Sequence, residues 1–417
     1  MKYRNFSNTG WKVSEIGLGC WAIGSEWGDV SELDAKETLK TSLDNGVNFF
    51  DTADVYGDGR SERFVGKLLK STSEKIYVAS KAGKRLNPHN AEGYNLKNIE
   101  SFIDRTLLNL GVDCIDLLQL HCPPSEICPK QETYEMMDEI VRTGKIANYG
   151  LSVEKVSEAM DAIQFSNVKS IQIIFNIFRQ KPAETFFKEA AKKNVAIIAR
   201  VPLASGLLTG KMRRDSTFPK NDHRNYNING EAFDVGETFS GVKFEKGLEA
   251  VEKLKELLPK NYSLADLALK WILMHDEISV VIPGAKNKAQ AEMNLKASEL
   301  EDISSLLPDI NSIYDELIKP DVHEFTVIAC FTLKKALHFF SNSLTLGPPK
   351  KSFEYSPKKF DKFPLLITLE AAFNSLMSIG LYFLKFLINC VLEALLNSKL
   401  IAYRLELRAY SFLKIPL

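Results

Sequence analysis

The chain lacks the features that announce several common protein classes. Its six cysteines, Cys20, Cys114, Cys122, Cys128, Cys330 and Cys390, are scattered and include no C-x-x-C pair. A disulfide framework is therefore not expected, and reduced thiols in a cytoplasmic setting fit best. The opening residues, MKYRNFSNTGWKVS, are polar and turn-rich, without an apolar run of signal-peptide length, so export is not expected. An excess of one charge is missing too: 53 basic and 53 acidic residues leave a formal net charge of +0. That removes the basic field that draws a protein to nucleic acid and points to a small-molecule partner. No G-x-S-x-G elbow or Walker-type phosphate loop stands out. His121 beside Cys122, with Cys128 beyond, does not have zinc-site spacing, and no metal is expected.

What is present is an ordinary globular composition, 45% hydrophobic and 25% charged, arranged in a repeating order. Apolar runs near residues 16–19, 47–51, 76–81, 116–121, 147–152, 170–176, 196–201 and 280–283 read as strands. Amphipathic stretches at 33–43, 61–69, 96–110, 131–141, 153–163, 184–193, 264–274 and 289–297 read as helices between them. Short strands that are apolar on both faces belong in a parallel sheet covered by helices. Eight such βα units predict an α/β fold of the (β/α)8 TIM-barrel type, which accommodates chains of about 250 to over 400 residues. Ser61 and Ser263 stand where N-caps are expected. Residues 3–6 and 12–15 flank an Asn8-Thr9-Gly10 turn and predict a hairpin plugging the barrel bottom.

The chemistry gathers where strands end. DTADVYG delivers Asp51 and Tyr56 after one apolar run, IYVAS runs into Lys81, and LLQL runs into His121. In a parallel barrel, active sites form at the C-terminal ends of the strands. Singly, each residue has a structural explanation: a turn cap, a packed ring, a solvated lysine, a core histidine. Four on one rim would be a costly burial unless they compensate one another or do chemistry. An ammonium beside a phenol favours its ionised form, so Lys81 is expected to lower the Tyr56 pKa. Tyr56 then becomes a general acid for a carbonyl oxygen, Asp51 orients Lys81, and His121 orients the carbonyl. An enzymatic alternative uses Lys81 as a Schiff base in a barrel isomerase or lyase.

With DTADVYG, the strand-end lysine, LQLH and IPGAKN in order, residues 1–323 resemble the aldo-keto reductases, in the manner of the family's NADPH-dependent, prokaryotic-type branch. The resemblance implies reduction of an aldehyde or ketone by hydride transfer from NADPH rather than NADH, with Asp51, Tyr56, Lys81 and His121 as the catalytic set. It carries over Ser152 and Gln172 to the nicotinamide carboxamide, and Leu203, Ser205 and Lys211, in RVPLASGLLTGK, to the pyrophosphate. Gly284, Lys286, Gln290 and Asn294 fall on the adenosine end, with Lys286 on the 2′-phosphate. Trp21 falls on the substrate pocket wall.

Two positions depart from the family pattern: Arg200 stands where many relatives place a stacking aromatic, and Val153 replaces a common Asn. A guanidinium plane can still stack. Residues 205–262, with the polar run KNDHRNYNINGE, are expected to cover the cofactor and then form a helix. The loop 122–130 is expected at the substrate entrance. GLGCWA at 17–22 formally fits a dinucleotide fingerprint, but the residues after it read as a loop, whereas that fingerprint opens a helix at once. A reading from another class is a cofactor-binding, redox-sensing subunit with little turnover, of the kind some members of the fold provide to membrane channels.

Residues 324–417 form an extension of unknown role beyond the family pattern. Two strongly apolar, helix-compatible segments, 325–340 and 365–396, flank the stretch GPPKKSFEYSPKKFDKFP. Within the second, Ser375 to Leu396 is mostly apolar but interrupted by Lys385 and Glu393, and a charge at mid-bilayer costs several kcal/mol, so membrane association is not favoured. Helices packing on the barrel or a partner, and sequence read past the ordinary end of the gene, are the other readings.

Overall fold

The apolar runs form a barrel in the computed structural model, which describes residues 1–24 and 27–322. An antiparallel hairpin, β1 (Tyr3–Phe6) and β2 (Trp11–Ser14), comes first. The barrel strands follow: β3 (Leu18–Gly19), β4 (Phe49–Asp51), β5 (Tyr77–Ala82), β6 (Ile115–His121), β7 (Ile146–Ser152), β8 (Val168–Ile174), β9 (Ala196–Arg200) and β10 (Ile278–Val281). They lie in chain order as one parallel sheet. Parallel bridges Ile16↔Val281 and Gly19↔Gly284 join the last strand to the first and close the cylinder. Gly17 and Gly19 permit that closure, because a Cβ there would sit 2.8 Å from the carbonyl oxygens of Phe49 and Ile282 respectively.

Strand alternation sorts the side chains into layers. Phe49, Ala79, Leu117, Ala196, Ile198 and Val280 pack together inside the barrel with Phe6 and Val13 of the hairpin. Phe6 stacks against Trp11 and meets Phe49 with ring centroids 5.4 Å apart, so the hairpin plugs the bottom as the turn signal implied. Two residues farther along the inward faces of β4, β5 and β6, the apolar filling gives way to Asp51, Lys81 and Gln119; His121 follows Gln119 at the strand end. The intervening outward residues, such as Val78, Leu118 and Leu120, join the core against the helices.

Most helices lie within a few residues of their expected bounds, and Leu96–Leu110 coincides. Ser263 caps Leu264–Leu273, accepting from the Asp266 amide at 3.2 Å. Ser61 does not cap. Its helix, Arg60–Lys70, starts after Gly59, and the Ser61 hydroxyl bonds Cys20 O (2.9 Å) and Thr52 Oγ1 (2.8 Å). The helix expected from 153 begins at Val156, because Glu158 folds back to accept from the Glu154 and Lys155 amides at 3.0 Å. The 17–22 segment also needs correction: a helix does open at Trp21, but it ends at Gly24. Its glycines serve barrel closure.

The long connection after β9 makes a 3-10 turn at Ala204–Thr209 and later the helix Phe244–Glu256. Val201, Ala204 and Ser205 adopt φ of 53°, 46° and 54°. Such backbone persists only where its surroundings over-determine it. Asn176 supplies part of that constraint, donating to Val201 O at 2.8 Å and bonding Ser240 Oγ at 2.7 Å. Among the described residues no helix is long and apolar enough to cross a membrane. The extension at 324–417, with both apolar segments, lies outside the described residues.

Candidate active site

The four strand-end groups meet on one rim. Lys81, 0% exposed, donates to Asp51 Oδ1 at 2.5 Å, to Thr52 O at 2.8 Å and to Tyr56 Oη at 3.3 Å. His121 stands edge-on to Tyr56, ring centroids 5.9 Å apart. The turn carrying Tyr56 is clamped from outside. Gly57, at φ 58°, packs so tightly that a Cβ would lie 2.3 Å from Gly24 O, and Arg60 donates to Ile23 O, Gly24 O and Val30 O.

Burial pushes the Tyr56 phenol well above its ordinary 10, with Asp51 and Glu237 adding to the rise and Arg200 opposing it. The net direction is therefore up rather than down: burial outweighs the pull of Lys81, whose charge is partly offset by Asp51 at contact distance. The phenol is thus held protonated. Burial also drives His121 well below 6.5, helped by the cations Lys81 and Lys84, so its imidazole is neutral. A protonated phenol and a neutral imidazole can both offer hydrogens to one carbonyl oxygen.

Asp51 has further partners. Its Oδ2 accepts from Gln172 Nε2 (2.7 Å) and from Gln119 Nε2 (3.1 Å). Ser152 in turn donates to Gln172 Oε1 at 3.4 Å. Gln119 escaped the sequence reading, although a polar residue two positions before His121 in an apolar strand shares its inward face and was a usable signal.

A cavity of about 660 Å³ starts at Asp51, Tyr56 and His121 and passes Ser152 and Gln172. Arg200, Leu203, Ser205, Lys211, Gly284, Lys286, Gln290 and Asn294 line it too, as does Trp21. Every expected site residue is therefore on this wall except Lys81, which lies behind it. Trp21 lies parallel to the Tyr56 ring at 5.9 Å. The Ser205 hydroxyl does not face the cavity freely: it donates to Glu237 O (2.8 Å) and accepts from the Phe239 amide (3.1 Å), stapling the long connection shut. No residue of 122–130 lines the cavity; that loop is occupied in packing, with Ser125 bonded to Glu158 and Tyr134 to Cys128 O.

The long connection supplies wall residues that the sequence reading did not single out: Phe218, Arg224, Phe233 and Glu237. Glu237 forms an ion pair with Arg200, whose Nη2 also donates to Val153 O at 3.0 Å. The two departures from the family pattern thus touch each other. At the far arm, Arg224 lies over the rings of Trp27 and Phe218 and is paired with Asp222. Lys286 donates to Trp27 O. Burial, then the Arg224 charge, lowers the Lys286 pKa. Two crowded cations facing one carboxylate, Asp222, suit a dianionic phosphate.

The comparisons bear on the family and the fold. The model of the aldo/keto reductase family matches residues 15–314. The aldo-keto reductase YhdN of Bacillus subtilis is 32% identical over 329 residues, covering 77% of this chain and 96% of that protein. The aldo-keto reductase yakc [NADP(+)] of Schizosaccharomyces pombe is 28% identical over 313 residues, 73% of this chain and 89% of its own length. The solved holo form of aldo-keto reductase AKR11C1 from Bacillus halodurans superposes with a TM-score of 0.60 at 27% identity, covering 76% of this chain and 97% of that one. An eight-stranded barrel carrying this rim defines an NAD(P)H-dependent oxidoreductase of carbonyl compounds. The chain belongs to the aldo/keto reductase family.

Proposed function

We propose that the protein reduces an aldehyde or ketone to an alcohol with NADPH as the reductant and Tyr56 as the general acid. The observation that carries this reading is the Lys81 ammonium, 3.3 Å from the Tyr56 hydroxyl and 2.5 Å from Asp51, behind the wall of a cavity that ends among basic side chains. Ser152, Gln172 and Arg200 would hold the nicotinamide end, and Lys211, Arg224, Lys286, Gln290 and Asn294 the phosphates and adenosine. When bound, the nicotinamide supplies a hydride to the carbonyl carbon.

The protein's own part is proton delivery and charge control. Tyr56 Oη gives its proton to the carbonyl oxygen as negative charge develops there, while the neutral His121 ring orients that oxygen. The phenolate left behind lies beside Lys81, which stabilises it most when the charge is fullest. Asp51, fixed by Gln119 and Gln172, keeps Lys81 aimed at the phenol. A Schiff-base role for Lys81 fits poorly, since its nitrogen is enclosed and already bonded to three oxygens. The test is direct: titrate purified protein with NADPH and NADH by fluorescence, then follow loss of reduced-nicotinamide absorbance with a panel of aldehydes, ketones and sugars. Tight NADPH binding with carbonyl-dependent oxidation is expected. Binding without turnover of any panel member would reject the catalytic reading in favour of a redox-sensing subunit.

A further inference from the structure

Lys84 is a cation of the cavity to which the proposed chemistry gives no task beyond helping to keep His121 neutral. It follows Lys81 by three residues, just past the end of β5, and lines the same cavity as Tyr56 and His121. Its side chain is half-buried, and among the described residues it forms no ion pair. The other cation at this end, Arg200, is committed to Glu237. Glu154 is the nearby acid whose field Lys84 feels, but burial and Asp234 hold that carboxyl up at about 7, so it is only partly ionised near neutrality. An aromatic wall stands beside Lys84. The Phe233 ring lies 5.9 Å from the Lys84 ammonium and 6.2 Å from Trp21, edge to face.

An aromatic wall beside an ammonium without an ion-pair partner suits a molecule with a flat or aliphatic body and a negative end. We infer that the substrate is an aldehyde or ketone carrying an anionic group, carboxylate or phosphate, that pairs with Lys84 while its apolar body lies along the wall formed by Trp21 and Phe233. The inference rests on the carbonyl-reductase reading above and specifies its substrate class. Lys84 is a specificity residue in this scheme and takes no part in proton transfer.

The test compares three para-substituted benzaldehydes that share one carbonyl: 4-carboxybenzaldehyde, 4-formylphenyl phosphate and the neutral methyl 4-formylbenzoate. A charge-assisted contact predicts a kcat/KM for at least one anion about tenfold or more above the ester at low salt, falling as salt rises. Which anion gains more tells carboxylate from phosphate. Lys84→Met should bring the ratio near one, and Lys84→Arg should restore most of it. A wild-type ratio of one or below, or a ratio unchanged in Lys84→Met, overturns the inference. Calorimetry on protein loaded with NADP+ separates it from the catalytic reading. 4-(Hydroxymethyl)benzoate, or 4-(hydroxymethyl)phenyl phosphate, should bind more tightly than the matching methyl ester in wild type and not in Lys84→Met. If no carbonyl is reduced yet that difference holds, the reductase reading falls and the anion site stands; if these ligands bind alike, the anion site falls.

Discussion

Replacing Lys81 with methionine removes the buried cation while keeping most of its bulk, and its effect follows from two distances. At 3.3 Å from Tyr56 Oη, an ammonium attracts a phenolate by about 5 kcal/mol at an effective dielectric near 20. Asp51 opposes that attraction. Its oxygen, 2.5 Å from the ammonium, is at most about 5.8 Å from the phenol, where repulsion is at least about 3 kcal/mol. If Asp51 takes up a proton in the variant, only the net effect of the pair is lost, at most about 2 kcal/mol; if it stays ionised, the loss approaches about 5 kcal/mol. The expected fall in turnover is therefore up to about 30-fold in the first case and up to a few thousand-fold in the second. Single-turnover oxidation of bound NADPH at saturating aldehyde measures it, with cofactor titration and a thermal melt confirming an intact site. A folded, NADPH-binding Lys81→Met protein whose single-turnover rate stays within threefold of wild type would refute the electrostatic argument.

Asp54 offers a stability prediction. It is 0% exposed, with Arg85 Nε 4.0 Å from its Oδ2, and burial, then Glu62, raise its pKa to about 7 against the partial opposition of Arg85, Arg105 and the Val55 amide. The unfolded chain ionises this group near 3.8, so its contribution is whole below about pH 4 and is lost as pH rises to about 7, a few kcal/mol at most. Urea unfolding should therefore show Asp54→Asn gaining on wild type between pH 4 and pH 7; a difference constant across that window would discard the assignment. For the cofactor, Lys286→Ala should weaken NADPH binding about 10- to 100-fold while leaving NADH nearly unaffected. Equal losses for both dinucleotides would take Lys286 away from the 2′-phosphate.

The barrel was legible because its strands are short, apolar and spaced by amphipathic stretches, and the site because alternation makes a strand-end residue point inward. Asp51, Lys81 and His121 each follow an apolar run, so their convergence needed only closure of the sheet. Gln119 was hidden by being read as part of that run. Phe233, Glu237 and Arg224 were illegible for another reason. They come from a connection whose course is set by tertiary contacts, such as Asn176 on Val201 and Ser240, and no local period encodes where it crosses the mouth. Ser61 misled because a serine before an apolar run reads as a cap, yet here a glycine turn starts the helix and the hydroxyl ties two loops together. The direction of the Tyr56 shift was missed because it is set first by burial of the phenol, which a strand-end position in the sequence does not reveal.

The most direct test of the central claim, that the Tyr56 phenol delivers the proton to the substrate, is Tyr56→Phe measured for NADPH affinity and for turnover of one good aldehyde. Affinity within about threefold of wild type, with turnover down by about 10²- to 10⁴-fold, is the expected result. Turnover within tenfold of wild type in a folded, cofactor-binding variant would contradict it and move the acid to another group on the rim.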